Sequence, residues 1–249
     1  GPLPLMGDPG HKAMIDFMSV LPEQLDRPDL ILVISAHWEE KVPTLLGSPN
    51  PPMFFDYYGF PAETYEVSYP APGAPDKAAQ IAGMLDDFGI PSQIDYERGF
   101  DHGHFIPLMM IYPQADIPTL QLSLIRGLNP ERHLQLGEAL RPLLDENVLG
   151  IGSGFFFHNM SAFSWRPDGK PDPANEAFQD WLIDVNTQAD FVATRNALLN
   201  WEQAPSARYC HPREEHLLPL LVCAGLTQAP AEVIFDDKIL GKRGLAFGW

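Results

Sequence analysis

Four of the eight histidines in this 249-residue chain sit where a regular element begins or ends: His37, His102, His158 and His216. His37 closes the run Leu30-Ile31-Leu32-Val33-Ile34-Ser35-Ala36-His37-Trp38, in which five large aliphatics give way to small Ser35 and Ala36. His158 follows a second apolar run that passes through Ser153 and then Phe155-Phe156-Phe157. In open α/β sheets, ligands bind beyond the carboxyl ends of the strands, so parallel strands would bring His37 and His158 to one rim. His216 falls in the first turn of a helix expected over residues 214–225, behind Pro212-Arg213-Glu214-Glu215. His102 occupies a glycine-flanked turn over residues 99–104, where backbone can approach a ligand closely. Neutral imidazole is the commonest metal ligand and suits iron and zinc alike. Three such groups from separate elements, with positions left open to water or substrate, make a catalytic metal site. No H-E-x-x-H motif is present, so spacing alone does not define the ligand set. His133, beside Glu131 and Arg132 in a helix, reads as a solvated surface residue, and His11 as a structural one.

These side chains need a scaffold. Five consecutive aliphatics are the pattern of a strand buried on both faces, as in a parallel sheet covered by helices. Strands are expected at residues 30–35, 42–46, 92–95, 119–124, 148–153 and 233–235, with an apolar run at 105–112. Helices are expected at 11–25, 76–88, 130–144, 175–190, 191–201 and 214–225, and a polar loop at 161–175. The alternation of strand and helix, with no repeat and no linker, predicts one α/β domain over residues 1–249. Its central sheet should be mostly parallel or mixed and flanked by helices on both faces. The chain opens on Gly1-Pro2-Leu3-Pro4 with no strand ahead of it, and an N-terminal strand is expected upstream of residue 1.

Residues 47–75 form a long irregular segment carrying Phe54, Phe55, Tyr57, Tyr58, Phe60, Tyr65 and Tyr69. Long irregular loops inside a compact domain tend to be functional. These rings could wall a pocket for a flat apolar ligand or cover a sheet edge.

A net charge of −17 repels phosphate backbones and anionic membranes, which argues against nucleic-acid and membrane partners. No apolar run reaches the length of a spanning helix, and no signal peptide is visible. Cys210 and Cys223 form neither a C-x-x-C pair nor a disulfide framework, so a cytoplasmic location is the default expectation. The sequence leaves the oligomeric state open, a homo-oligomer included.

Several motifs occur in a fixed order: Ser35-Ala36-His37-Trp38, Tyr57-Tyr58-Gly59-Phe60-Pro61, Tyr69-Pro70-Ala71-Pro72-Gly73, Gly99-Phe100-Asp101-His102-Gly103, His158-Asn159 and Glu215-His216-Leu217-Leu218-Pro219-Leu220. Together they resemble the class III extradiol ring-cleavage dioxygenases, in the branch that includes 4,5-DOPA extradiol dioxygenase. The resemblance spans about residues 1–225. It implies a single α/β domain and a reaction that inserts both atoms of O₂ into a small aromatic diol, a catechol, beside its hydroxyls. It implies one metal per chain, non-haem Fe(II) or Zn²⁺. By the same resemblance His37 and His216 are metal ligands. His158 lies at the metal as a ligand or an acid/base group, and His102 is an acid/base or orienting residue. Tyr58 and Phe60 would clamp the flat substrate ring.

The sequence departs from the family pattern in two places. A further ligand histidine of that pattern either lies ahead of Gly1 or is missing, leaving the site incomplete. The position at which iron oxygenases commonly use a carboxylate corresponds to His216, with Glu214 and Glu215 adjacent, and an all-histidine set is chemically closer to zinc. Two other classes stay open: a zinc-dependent hydrolase on the same fold, and a non-catalytic binding or assembly protein. Arg98, Arg126 and Arg208 are candidates to pair with charged substituents of a substrate.

Overall fold

The computed structural model describes residues 1–163 and 170–249; the middle of the expected 161–175 loop lies outside the described residues. In chain order the elements are α1 Lys12–Val20, β1 Leu30–Glu40, β2 Thr44–Leu46, α2 Pro75–Asp87, β3 Gln93–Asp95, α3 His102–Ile111, β4 Thr119–Ile125, α4 Pro130–Ala139 and β5 Val148–Ser153. They continue with α5 Pro173–Thr187, α6 Phe191–Leu199, α7 Ala207–Cys210, α8 Leu218–Thr227, β6 Glu232–Ile239 and β7 Lys242–Gly248.

The five-stranded sheet has the order β3-β2-β4-β1-β5. β1 is parallel to β4 and to β5, β2 is parallel to β3, and β2 meets β4 antiparallel, so the sheet is mixed. Alternation along β1 explains why both faces are covered. Leu30, Leu32 and Ile34 enter one core with Ile81 of α2, Leu134 of α4 and Leu221 of α8. Ile31 and Val33 enter the other with Phe105 and Leu108 of α3, against which Met18 of α1 packs. Side chains of period two thus divide between two apolar layers.

The expected strand at residues 30–35 does not stop at Ser35. β1 runs on to Glu40 through an irregularity, and its pairing with β4 jumps from Ser35↔Ser123 to Glu39↔Leu124. Bulges of this kind bend a strand and re-aim its side chains, and His37 lies inside this one. The apolar run at 105–112 is helical, and α3 begins at His102 within the segment expected as a turn. Pro107 inside this helix has no N–H to bond the carbonyl four residues back, which is that of Gly103. The Ser153 hydroxyl donates to that carbonyl instead, at 2.5 Å.

The expected helix at 11–25 is α1 followed by a 3₁₀ turn over Leu21–Gln24, which contains Pro22. The strand expected at 233–235 is the middle of a separate two-stranded hairpin, β6–β7. His133 corrects the expectation of a surface residue, since it is fully buried. Its Nε2 accepts from the Ile125 N–H at 3.0 Å and its Nδ1 stands 2.7 Å from the Asn129 carbonyl. Its charged neighbours in sequence occupy the outer face of α4, while the ring ties the helix to the end of β4. His11, expected to be structural, is buried and bonds Asp8 at 2.7 Å. Both cysteines are buried and free. No helix among the described residues is long and apolar enough to cross a membrane.

Candidate metal centre

Register brings the first two histidines together. Ser35 of β1 pairs with Ser153 of β5, so the segments beyond them leave the sheet side by side. His37 follows on β1, and His158 follows in the loop after β5. His216 arrives from the turn before α8, two residues ahead of the helix expected to hold it in its first turn. The His216 carbonyl accepts from the Phe155 N–H at 3.2 Å, which fastens that turn to the post-β5 loop. His102 arrives as the first residue of α3. Gly103 permits the approach, because a Cβ there would lie 2.5 Å from Ser35 Oγ and 2.9 Å from His37 Cδ2.

The four imidazoles form a row. Ring centroids are 3.8 Å apart for His102 and His37, 4.9 Å for His37 and His216, and 3.5 Å for His216 and His158, the last pair stacked. A carboxylate stands at each end. Asp56 Oδ1 is 2.7 Å from His102 Nδ1, and Glu215 Oε1 is 3.2 Å from His158 Nδ1. Two compact groups result, His37 with Asp56 and His102, and His158 with Glu215 and His216, whose donor atoms lie within 4.8 Å of one another in each group.

Burial is the main reason His37 is neutral, with its pKa lowered to about 3, and the His102 charge adds to the effect. His216 is lowered well below the ordinary value, first by burial and then by His158. Burial alone would raise the Asp56 carboxyl, but the hydrogen bond and charge of His102 outweigh it and leave the group below the usual range. Glu215 is lowered in the same manner, with His158 overcoming burial. Neutral imidazoles beside ionised carboxylates form a donor set suited to a divalent cation. Two orphaned atoms agree with that use: His216 Nδ1 and Glu215 Oε2 are buried without a hydrogen bond, although Arg213 Nη1 stands 3.5 Å from the latter. Glu215 places a carboxylate within 4.8 Å of the His158 and His216 donor atoms, where the sequence reading had only histidines.

The aromatic loop reaches the row through Tyr57, named among the loop rings but missed as a site residue, whose ring is edge-on to His102 with centroids 5.8 Å apart. Phe60 packs edge-on against Tyr57 at 5.7 Å. Tyr58 is 91 % exposed, next to Gly59 at φ +78°. Asp56 was missed too, and its signal was a lone carboxylate inside Phe54-Phe55-Asp56-Tyr57-Tyr58. Two of the three arginine candidates are already paired. Arg98 bonds buried Asp101 at 3.2 Å and lies over the rings of Trp38 and Phe54, while Arg208 is bonded to Glu202 and Glu214. His211 is fully buried near Phe178 and Trp201, as a core residue.

Residues 12–241 match the family of the catalytic LigB subunit of aromatic ring-opening dioxygenase. The chain is 39 % identical over 266 residues to the dioxygenase tasH of Hapsidospora irregularis, covering 100 % of this chain and 82 % of that protein. It is 38 % identical over 239 residues to 4,5-DOPA dioxygenase extradiol of Beta vulgaris, covering 94 % and 88 % respectively. The crystal structure of the uncharacterized protein JW3007 from Escherichia coli K12 superposes with a TM-score of 0.78 at 28 % identity, over 94 % of this chain and 91 % of that one. With the mixed sheet, the histidine row and a match over nearly the whole length, the chain belongs to the LigB family of class III extradiol dioxygenases.

Proposed function

We propose that this chain opens a catechol ring with O₂ beside its two hydroxyls, at one metal held by His37, His158 and His216. The observation that carries the reading is the convergence of four imidazoles from four separate elements, two of them kept neutral by burial. Iron(II), when bound, supplies the electron transfer that dioxygen chemistry requires and that zinc, with no redox chemistry of its own, does not. The choice of iron rests on that requirement, since the three ligands named are all histidines and Glu215 is engaged with His158.

The protein's own groups do the rest. His102, with Nδ1 committed to Asp56, presents Nε2 as the base that takes a proton from a catechol hydroxyl and later returns it. Glu215, 3.2 Å from His158 Nδ1, stands behind that ligand and orients its ring. Phe60 and Tyr58 hold the flat ring, with Tyr57 behind His102, and the aromatic loop excludes water from the site. The names of relatives such as the Beta vulgaris protein make a 3,4-dihydroxyphenyl compound the first substrate to try. Iron-loaded protein given such a catechol should consume O₂ and release a yellow ring-opened product, whereas zinc-loaded protein should do neither. The absence of uptake with every catechol offered to the iron-loaded form would exclude this function.

A further inference from the structure

We infer that Asp56 is the residue that positions His102, fixing the proton on Nδ1 and leaving Nε2 bare. The inference rests on His102 acting as an acid/base group, as proposed above. One oxygen of Asp56 holds His102 twice: Oδ1 accepts from the ring Nδ1–H at 2.7 Å and from the backbone N–H at 3.0 Å. An ionised carboxylate only accepts hydrogen bonds, so the ring nitrogen that faces it must carry the proton. The backbone N–H it accepts from is the first of α3, one of the donors that a helix start leaves without an internal partner. Ring and helix start are therefore gripped from one point, and the ring cannot turn without breaking a bond to an atom that also caps α3. Tyr57, the next residue in the loop, stands edge-on to the same ring and limits its tilt.

A rival role is visible. Asp56, His37 and His102 form a compact donor group, so Asp56 could itself be a metal ligand. Its geometry favours positioning: Oδ1 is occupied by two hydrogen bonds, and Oδ2 lies 4.0 Å from His37 Nδ1.

Long-range ¹H–¹⁵N correlation spectra of the full chain, without metal and with zinc, report the tautomer of His102 directly. The expected result is Nδ1–H in both forms; Nε2–H in the unaltered protein overturns the inference with no variant needed. In Asp56→Ala the tautomer should become mixed. In the iron-loaded protein the same change should lower kcat by about 100-fold or more while KM for a catechol changes little, the range lost with a positioned acid/base group. Asp56→Asn keeps an acceptor oxygen and should recover part of kcat. Metal content should be the same in all three proteins. Loss of metal from Asp56→Ala would make Asp56 a ligand, and an unchanged tautomer with unchanged kcat would leave it no role in positioning. If iron-loaded unaltered protein cleaves no catechol, the proposed function fails, yet the spectra still decide what Asp56 does.

Discussion

Ser35 and Ser153 are register partners on adjacent parallel strands, and their hydroxyls hold the two residues that flank His102. Ser35 Oγ donates to Asp101 Oδ1 at 2.8 Å, and Ser153 Oγ donates to the Gly103 carbonyl at 2.5 Å. The sheet thus sets the position of an imidazole that belongs to a helix. Ser153→Ala leaves a carbonyl freed by Pro107 without its partner, at a cost of about 1–3 kcal/mol. Denaturant unfolding should register that loss, and kcat should fall with metal content unchanged.

Gly103→Ala should be worse for activity than for folding. The added methyl must displace Ser35 Oγ or the His37 ring, and both belong to the site. A displacement of about 1 Å in a catalytic group can cost about 100-fold in rate. Steady-state kinetics on the folded variant would check this; wild-type kcat would show that His37 and α3 have more room than the packing gives them.

Asp101 is buried and accepts from Ser35, Gln121 and Arg98. Removing it in Asp101→Ala strands the Arg98 guanidinium between Trp38 and Phe54. Breaking one side of a buried ion pair costs about 3–5 kcal/mol, so the urea midpoint should drop sharply. Arg98→Met together with Asp101→Leu should recover much of that loss.

Stability should fall with acid for a reason outside the metal centre. Burial lowers the pKa of His104 and His211 to about 3 and that of His133 to about 4. Their unfolded value is near 6.5, so below about pH 6.5 the unfolded chain binds more protons than the folded one. The contribution is complete above that pH and is lost on the way down to about pH 4–3. Each histidine adds about 1.4 kcal/mol per pH unit to the slope in this window. In His211→Phe, the proton uptake on unfolding at pH 5 should drop by one; no change would mean that His211 is charged in the fold.

The scaffold was largely legible because burial on both faces writes itself into the unbroken aliphatic run Leu30-Ile31-Leu32-Val33-Ile34, and Ser35 and Ser153 were both visible at strand ends. His37 and His158 followed from that rim. The start of α3 was hidden, because Gly99, Gly103 and Pro107 all look like turn residues, while the helix is held by Ser153 and Asp56 from outside. His133 misled because polar neighbours say nothing about which face of a helix a ring occupies. Asp56 and Glu215 were obscured for a similar reason: a carboxylate becomes part of a site only when the fold brings a histidine to it, across 46 residues in one case and 57 in the other.

Tyr58 separates substrate binding from folding. At 91 % exposure its ring contributes little to the core, so Tyr58→Ala should leave the melting temperature unchanged while raising KM for the catechol. An unchanged KM would remove Tyr58 from the substrate clamp and leave Phe60 and Tyr57 to form the wall.

Ring opening in an ¹⁸O₂ atmosphere, with iron-loaded protein, a 3,4-dihydroxyphenyl substrate and mass spectrometry of the product, tests the reading at its centre. Incorporation of two ¹⁸O atoms into a ring-opened product, trapped by borohydride reduction before its aldehyde oxygen exchanges with water, is the expected result. A product carrying one or none, or recovery of intact catechol from iron-replete protein, would contradict it.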